Sequence, residues 1–370
     1  METPLGVAIE EAMRLAREQD PTEATRVLLQ RLSGNRLPDS GAPGAEASTT
    51  RVRAPLAESL ARLRSGELPN FGLSADALAR LGKRPTVHVP EGASYLSRTF
   101  SCQAGVRPYK VYVPSRSRGA RAPLILMLHG CTQNADDFAV GTGMNLLAEQ
   151  HGFIVAYPEQ PMTANQLGCW NWFSEKDQRR DSGEPSIIAG LTRFLISEMN
   201  LDHERVFVAG LSAGGAMADV MSVSYPDLYA AAGIHSGLAY GVAKDQASAF
   251  VAMSGKSSDR HPRRANIRAR TVIFHGKSDA KVHPSNADHI LSEARAGVSG
   301  IYRESTHRGT SNGLEYDRTV VVDARGVSQL EYWAIDGLGH AWSGGSRDGS
   351  HTEQRGPDAS REMLRFFLEG

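Results

Sequence analysis

The chain has 370 residues, enough for one large domain of about 250 residues and an appendage. Its 41 Lys and Arg balance 41 Asp and Glu, so no basic excess directs it to nucleic acid or to an anionic membrane, and an uncharged substrate suits it. Three cysteines, Cys102, Cys131 and Cys169, are too few for a disulfide scaffold and lack zinc-ligand spacing.

The first thirty residues carry acidic side chains throughout and no continuous apolar run, so no secretory leader is expected. No stretch of 18 or more apolar residues is present to span a membrane. A cytoplasmic protein is the resulting expectation. Residues 6–18 place Ala8, Ala12, Leu15 and Ala16 on one helical face. Asp20-Pro21-Thr22-Glu23 then reads as a capped helix start. A helical hairpin over 1–32 is expected, followed over 33–85 by a Gly/Pro/Ser/Ala-rich linker and short amphipathic helices. The hairpin is open to two readings, docking onto the main domain or an interaction such as homo-oligomerisation.

From residue 86 to 370 strands and helices alternate. VHV (87–89) and SRTF read as a first hairpin, and YKVYV (109–113) as an alternating strand. LILMLHG (124–130) and FIVAYPE (153–159) are continuous apolar runs, as parallel strands buried on both faces require. A helix over 186–199 leads to VFVAG (206–210), with a second helix from Ala213. AAAGIHS (230–236) and TVIFHG (271–276) follow as buried strands, then a helix over 284–296 and a hairpin ending in YWAID (332–336). This order predicts an α/β fold with a mostly parallel, doubly wound sheet and helices on both faces.

Gly210-Leu211-Ser212-Ala213-Gly214 fits G-x-S-x-G. The string alone is weak, but it stands between a strand and a helix, the setting of a nucleophile elbow. A serine hydroxyl needs a base. His340 follows the last expected strand, where such sheets gather their catalytic groups. Asp279 follows TVIFHG and is the candidate acid; Asp288, expected on a helix, and Asp336, at a strand exit, are its rivals. The order Ser212, Asp279, His340 is that of α/β-hydrolases. Oxyanion donors are expected from the backbone N–H of Ala213 and of Cys131, in the His129-Gly130-Cys131-Thr132-Gln133 loop.

HGCTQNADDFAVGTGMNLLAEQHGFIVAYPEQ, CWNWF, GEPSIIAG, GLSAGGAMA, YPDLYAAAGIHSG, GHAWSGG and GPDASREMLRFF occur in this order over roughly residues 95–370. Together they resemble esterases of the polyhydroxybutyrate depolymerase family. The resemblance implies serine-dependent hydrolysis of an ester with no metal or organic cofactor, acting on a small or oligomeric ester, or a polyester. It assigns the triad to Ser212, Asp279 and His340 and the oxyanion hole to Cys131 and Ala213. Relatives of this kind include feruloyl and acetylxylan esterases, so the family name leaves the substrate open.

Trp170, Asn171, Trp172 and Trp342, with Gln133, are candidate walls of an acyl or aryl pocket, against the alternative that the tryptophans pack in the core. A Cys131–Cys169 disulfide would tie the oxyanion loop to the CWNW loop. In a reducing cytosol free thiols are expected instead, with Cys102 unpaired either way.

Overall fold

The computed structural model describes residues 85–115, 121–256, 269–298 and 300–369. The helical hairpin expected over 1–32, and nearly all of the 33–85 stretch, lie outside them. Among the described residues twelve strands run in chain order: β1 Ser94–Cys102, β2 Gly105–Val113, β3 Leu124–Leu128, β4 Ile154–Pro158, β5 Val206–Leu211, β6 Ala231–His235, β7 Arg270–Gly276, β8 Tyr302–Ser311, β9 Leu314–Asp323, β10 Ser328–Ile335, β11 Trp342–Ser343 and β12 Thr352–Glu353. The helices are α1 Ala135–Thr142, α2 Met144–His151, α3 Gly183–Glu198, α4 Ala213–Ser224, α5 Gln246–Met253, α6 Ser285–Gly297 and α7 Ala359–Leu368.

Ten strands form one sheet in the order β1-β2-β4-β3-β5-β6-β7-β10-β9-β8. The inner run from β4 to β10 is parallel throughout. Antiparallel pairs extend it on both sides: β1 on β2, with β2 on β4, and β9 on β10, with β8 on β9. The outermost strand, β8, exposes Arg303, Glu304, His307 and Arg308.

Alternate residues of β3 explain the layering. Leu124, Leu126 and Leu128 face Ile188, Leu191 and Leu195 of α3 and Met217 and Val220 of α4. Ile125 and Met127 pack into a second cluster with Phe138 of α1, Leu147 of α2 and Phe366 and Phe367 of α7. A strand covered on both sides has no polar face, which is why LILML reads as an unbroken apolar run. Farther along the sheet, Ile290 and Ala294 of α6 cover Ile273, Val321 and Leu330.

Two expectations need correction. The first hairpin is β1 with β2, and residues 87–89 form no strand. YWAID ends a three-strand meander, not a simple hairpin, because β8 pairs with β9 along its whole length. No helix among the described residues is long and apolar enough to cross a membrane.

Chain order reverses around β3, with β4 on one side and β5 on the other. At such a switch point the loops leaving the carboxyl ends of neighbouring strands diverge and open a crevice. The loops leaving β3 and β5 carry His129–Gln133 and Ser212.

Candidate active site

Ser212 is the single residue between β5 and α4. Its backbone sits at φ 57°, ψ −119°, where a side chain is strained. The turn is possible because the flanking positions are bare: a Cβ on Gly214 would overlap the Leu128 carbonyl, and one on Gly210 would overlap Gly214 itself. The Ser212 N–H donates to the His235 carbonyl at 2.9 Å.

His340 Nδ1 lies 2.7 Å from Asp279 Oδ2. A carboxylate can only accept, so Nδ1 carries the proton and Nε2 is the ring's lone-pair nitrogen. Asp279 is itself fixed, since its Oδ1 accepts the N–H groups of Lys281 and Val282, both at 2.9 Å. Burial alone would raise its carboxyl. The hydrogen bond and charge of His340, the neighbouring His275 and the Val282 N–H outweigh burial and hold it below the ordinary carboxylate range. The rivals stand elsewhere: Asp288 lies in α6, and Asp336 pairs with Lys277 at 3.0 Å.

Two further histidines lie beside these groups, and the first of them joins the two halves. His235 takes the Ser212 N–H on its carbonyl, and its ring Nε2 accepts the Ser343 N–H at 3.0 Å, three residues beyond His340. Burial, with His275 and His340 nearby, pushes its pKa down, so the ring is neutral. His275 donates from Nε2 to the Val282 carbonyl at 2.9 Å and lies 3.5 Å from Asp279 Oδ2. Burial likewise lowers its pKa. Sequence reasoning passed over both histidines, although His235 ends β6 and His275 lies one residue before the end of β7.

Gly130 stands against the elbow: a Cβ there would lie 3.6 Å from Ser212 Cβ. The Gly130 carbonyl accepts from His129 Nδ1 at 2.8 Å and from the Gln133 N–H at 3.3 Å. Because a trans peptide is planar, holding that oxygen aims the Cys131 N–H the opposite way. The tautomer of His129 follows, since its Nε2 accepts the Gln160 N–H at 3.0 Å. Thr132 completes the turn at φ 66°.

Cys131 is disulfide-bonded to Cys169, which corrects the expectation of free thiols; Cys102 is free and exposed. The bridge ties the loop after β3 to the segment bearing Trp170. That segment is anchored by buried Glu184, which accepts from Asn171 N and Nδ2 at 2.8 Å each, from Arg107 at 3.0 Å and from Gln160. Burial raises the Glu184 carboxyl despite the pull of these partners.

The candidate pocket residues are also corrected. Trp170 and Trp342 are fully buried, with indole N–H groups bonded to the His129 carbonyl and to Ser360 Oγ, so they pack behind the site rather than wall an open cleft. Trp172 is buried in the core cluster with Trp170. Gln133 is buried, and both ends of its amide are engaged within the protein. Among the described residues no group of three or more His, Cys, Asp or Glu side chains is placed to hold a metal ion.

Residues 107–310, more than half of the chain, match the family described as esterase PHB depolymerase. Poly(3-hydroxyalkanoate) depolymerase C of Paucimonas lemoignei is 34% identical over 241 residues, 62% of this chain and 57% of that protein. Acetylxylan esterase A of Talaromyces purpureogenus is 28% identical over 65% of this chain and 66% of its own length. Feruloyl esterase B of Neurospora crassa is 28% identical over 71% of this chain and 87% of its own. The chain thus spans less than two thirds of the length of the first two. Among solved structures, an acetyl xylan esterase from Aspergillus awamori superposes with a TM-score of 0.56 at 21% identity, over 75% of this chain and 99% of that one, and shares the fold. The relatives are extracellular enzymes, which overturns the cytoplasmic location expected from the sequence, and the disulfide agrees with that correction. An α/β-hydrolase sheet, a serine at a strained strand–helix turn and carboxylic-ester hydrolases as relatives converge on one statement: the chain belongs to the esterase PHB depolymerase family.

Proposed function

We propose that the chain hydrolyses carboxylic esters through an acyl-enzyme on Ser212. The observation that carries this reading is the 2.7 Å contact of His340 with Asp279, linked through His235 to the strained Ser212 turn. His340 Nε2 removes the Ser212 proton as Oγ attacks the ester carbonyl. Asp279 holds the ring in the required tautomer and stabilises the imidazolium that forms. The N–H groups of Cys131 and Ala213 receive the developing oxyanion. His340 then returns the proton to the leaving alcohol, and water repeats the cycle on the acyl group.

The substrate class is an uncharged short-chain acyl or hydroxyalkanoate ester, including oligomers of a polyester, as the depolymerase relative suggests. A second reading, acetyl or feruloyl esters of a polysaccharide, is favoured by the feruloyl esterase relative, of whose length this chain spans 87%. Turnover of p-nitrophenyl acetate through octanoate, methyl ferulate and hydroxybutyrate oligomers separates the two. Ser212→Ala should lower kcat by about four to six decades, and Asp279→Asn by about two to four. An alanine variant keeping a tenth of wild-type activity would sink the assignment, and Asp288→Asn more damaging than Asp279→Asn would move the acid.

A further inference from the structure

Behind the loop that follows β3 stands a carboxylate with no place in the reaction above. Asp137, in the first turn of α1, is buried and faces three donors. Its Oδ1 accepts the Ser350 N–H at 2.8 Å. Its Oδ2 accepts Gln133 Nε2–H at 2.9 Å and the Ser350 hydroxyl at 2.5 Å. Gln133 also donates to the Ser350 carbonyl at 3.1 Å, and its Oε1 accepts the Gly130 N–H at 3.0 Å. A carboxylate accepts and never donates, so it decides which end of the Gln133 amide turns toward it. The other end must then be the oxygen, and it meets Gly130, the residue before Cys131.

The same carboxylate grips the loop that follows His340. Ser350 lies two residues before β12, which pairs with β11, and β11 starts two residues after His340. The His351 carbonyl accepts the Trp342 N–H at 2.7 Å. Ser346 donates to the Gly141 carbonyl of α1 at 2.9 Å, and a Cβ on Gly349 would lie 2.9 Å from the Asp137 carbonyl oxygen. The loop is therefore pressed onto α1 around Asp137.

We propose that Asp137 is a positioning residue that, through Gln133 and Ser350, locks the oxyanion loop to the loop carrying His340. The assignment rests on Cys131 N–H acting as an oxyanion donor. Asp137→Asn is nearly isosteric, yet it sets an amide N–H against donors. Either a buried donor stays unpaired, or Gln133 turns over and brings its own N–H against Gly130. Ser350→Ala removes only the hydroxyl contact.

The test measures p-nitrophenyl acetate hydrolysis by wild type, Asp137→Asn and Ser350→Ala, with reactive serines counted by stoichiometric p-nitrophenol release from diethyl p-nitrophenyl phosphate. In Asp137→Asn, kcat per counted serine should fall about tenfold or more while KM stays within about twofold, and Ser350→Ala should fall at least about threefold. A purely structural role would lower the melting temperature or the number of counted serines and leave kcat per serine unmoved. A value within about twofold of wild type in Asp137→Asn, or in Ser350→Ala should Asp137→Asn fail to fold, overturns the proposal. Failure of the underlying reading looks different: wild type would turn over no ester, or Ser212→Ala would match it.

Discussion

At φ 57°, ψ −119°, Ser212 holds a conformation that costs a side-chain-bearing residue about 1–3 kcal/mol. Ser212→Ala removes the hydroxyl and keeps the strain, whereas Ser212→Gly removes both. The glycine variant should therefore be the more stable of the two by about 1 kcal/mol, even after glycine's larger unfolded-state entropy is charged against it. Urea midpoints of the two variants read this directly, and an alanine variant at least as stable as the glycine variant would show the turn to be relaxed. The proposed triad was legible in the sequence because each member sits just beyond a strand that announces itself by apolar composition. The supporting residues were not. Asp137 and Ser350 are 213 positions apart, and no local pattern says that a polar residue in a first helical turn will meet one in a distant loop. The same holds for Glu184, whose partners come from β2, the β4 exit and the CWNW segment.

Among the elements, the parallel strands were readable because burial on both faces leaves an unbroken apolar run. Strand β8 was not, because its side chains are almost all exposed and its sequence, YRESTHRGTS, has no apolar alternation. The closing helix α7 is held by a buried carboxylate on β10: Glu331 accepts from Arg365 at 2.7 Å and from Arg318 at 2.8 Å. Burial would raise the Glu331 carboxyl, but these arginines outweigh it and depress its pKa below the ordinary 4.5. Unfolded Glu331 then binds a proton at a pH where the folded residue does not, so its contribution is complete above 4.5 and fades as pH falls through the lower folded value. Glu331→Gln should lose about 2–3 kcal/mol near pH 7, with the gap to wild type narrowing in acid. Chemical denaturation at pH 7 and pH 4 checks it; a gap that widened in acid would reverse the sign of the linkage.

Across the molecule as a whole, the Cys131–Cys169 bridge closes a loop of 38 residues that includes α1, α2 and β4. Chain-entropy arguments give such a crosslink about 3–4 kcal/mol. The Cys131→Ala/Cys169→Ala double variant should unfold at a correspondingly lower guanidinium concentration without reductant. Denatured, unreduced wild type should show one titratable thiol, Cys102. Three thiols and an unchanged midpoint would mean the bridge does not form. Among the described residues, the sheet these loops crown ends in β1 on one side and β8 on the other. On the β8 rim the visitor meets Arg303, Glu304, His307 and Arg308 first. Another copy laid alongside would have to strip water from those charges before a single strand-to-strand bond could form. That cost opposes sheet-to-sheet growth across the β8 rim, so charge at one edge strand keeps that edge from serving as a template for another copy.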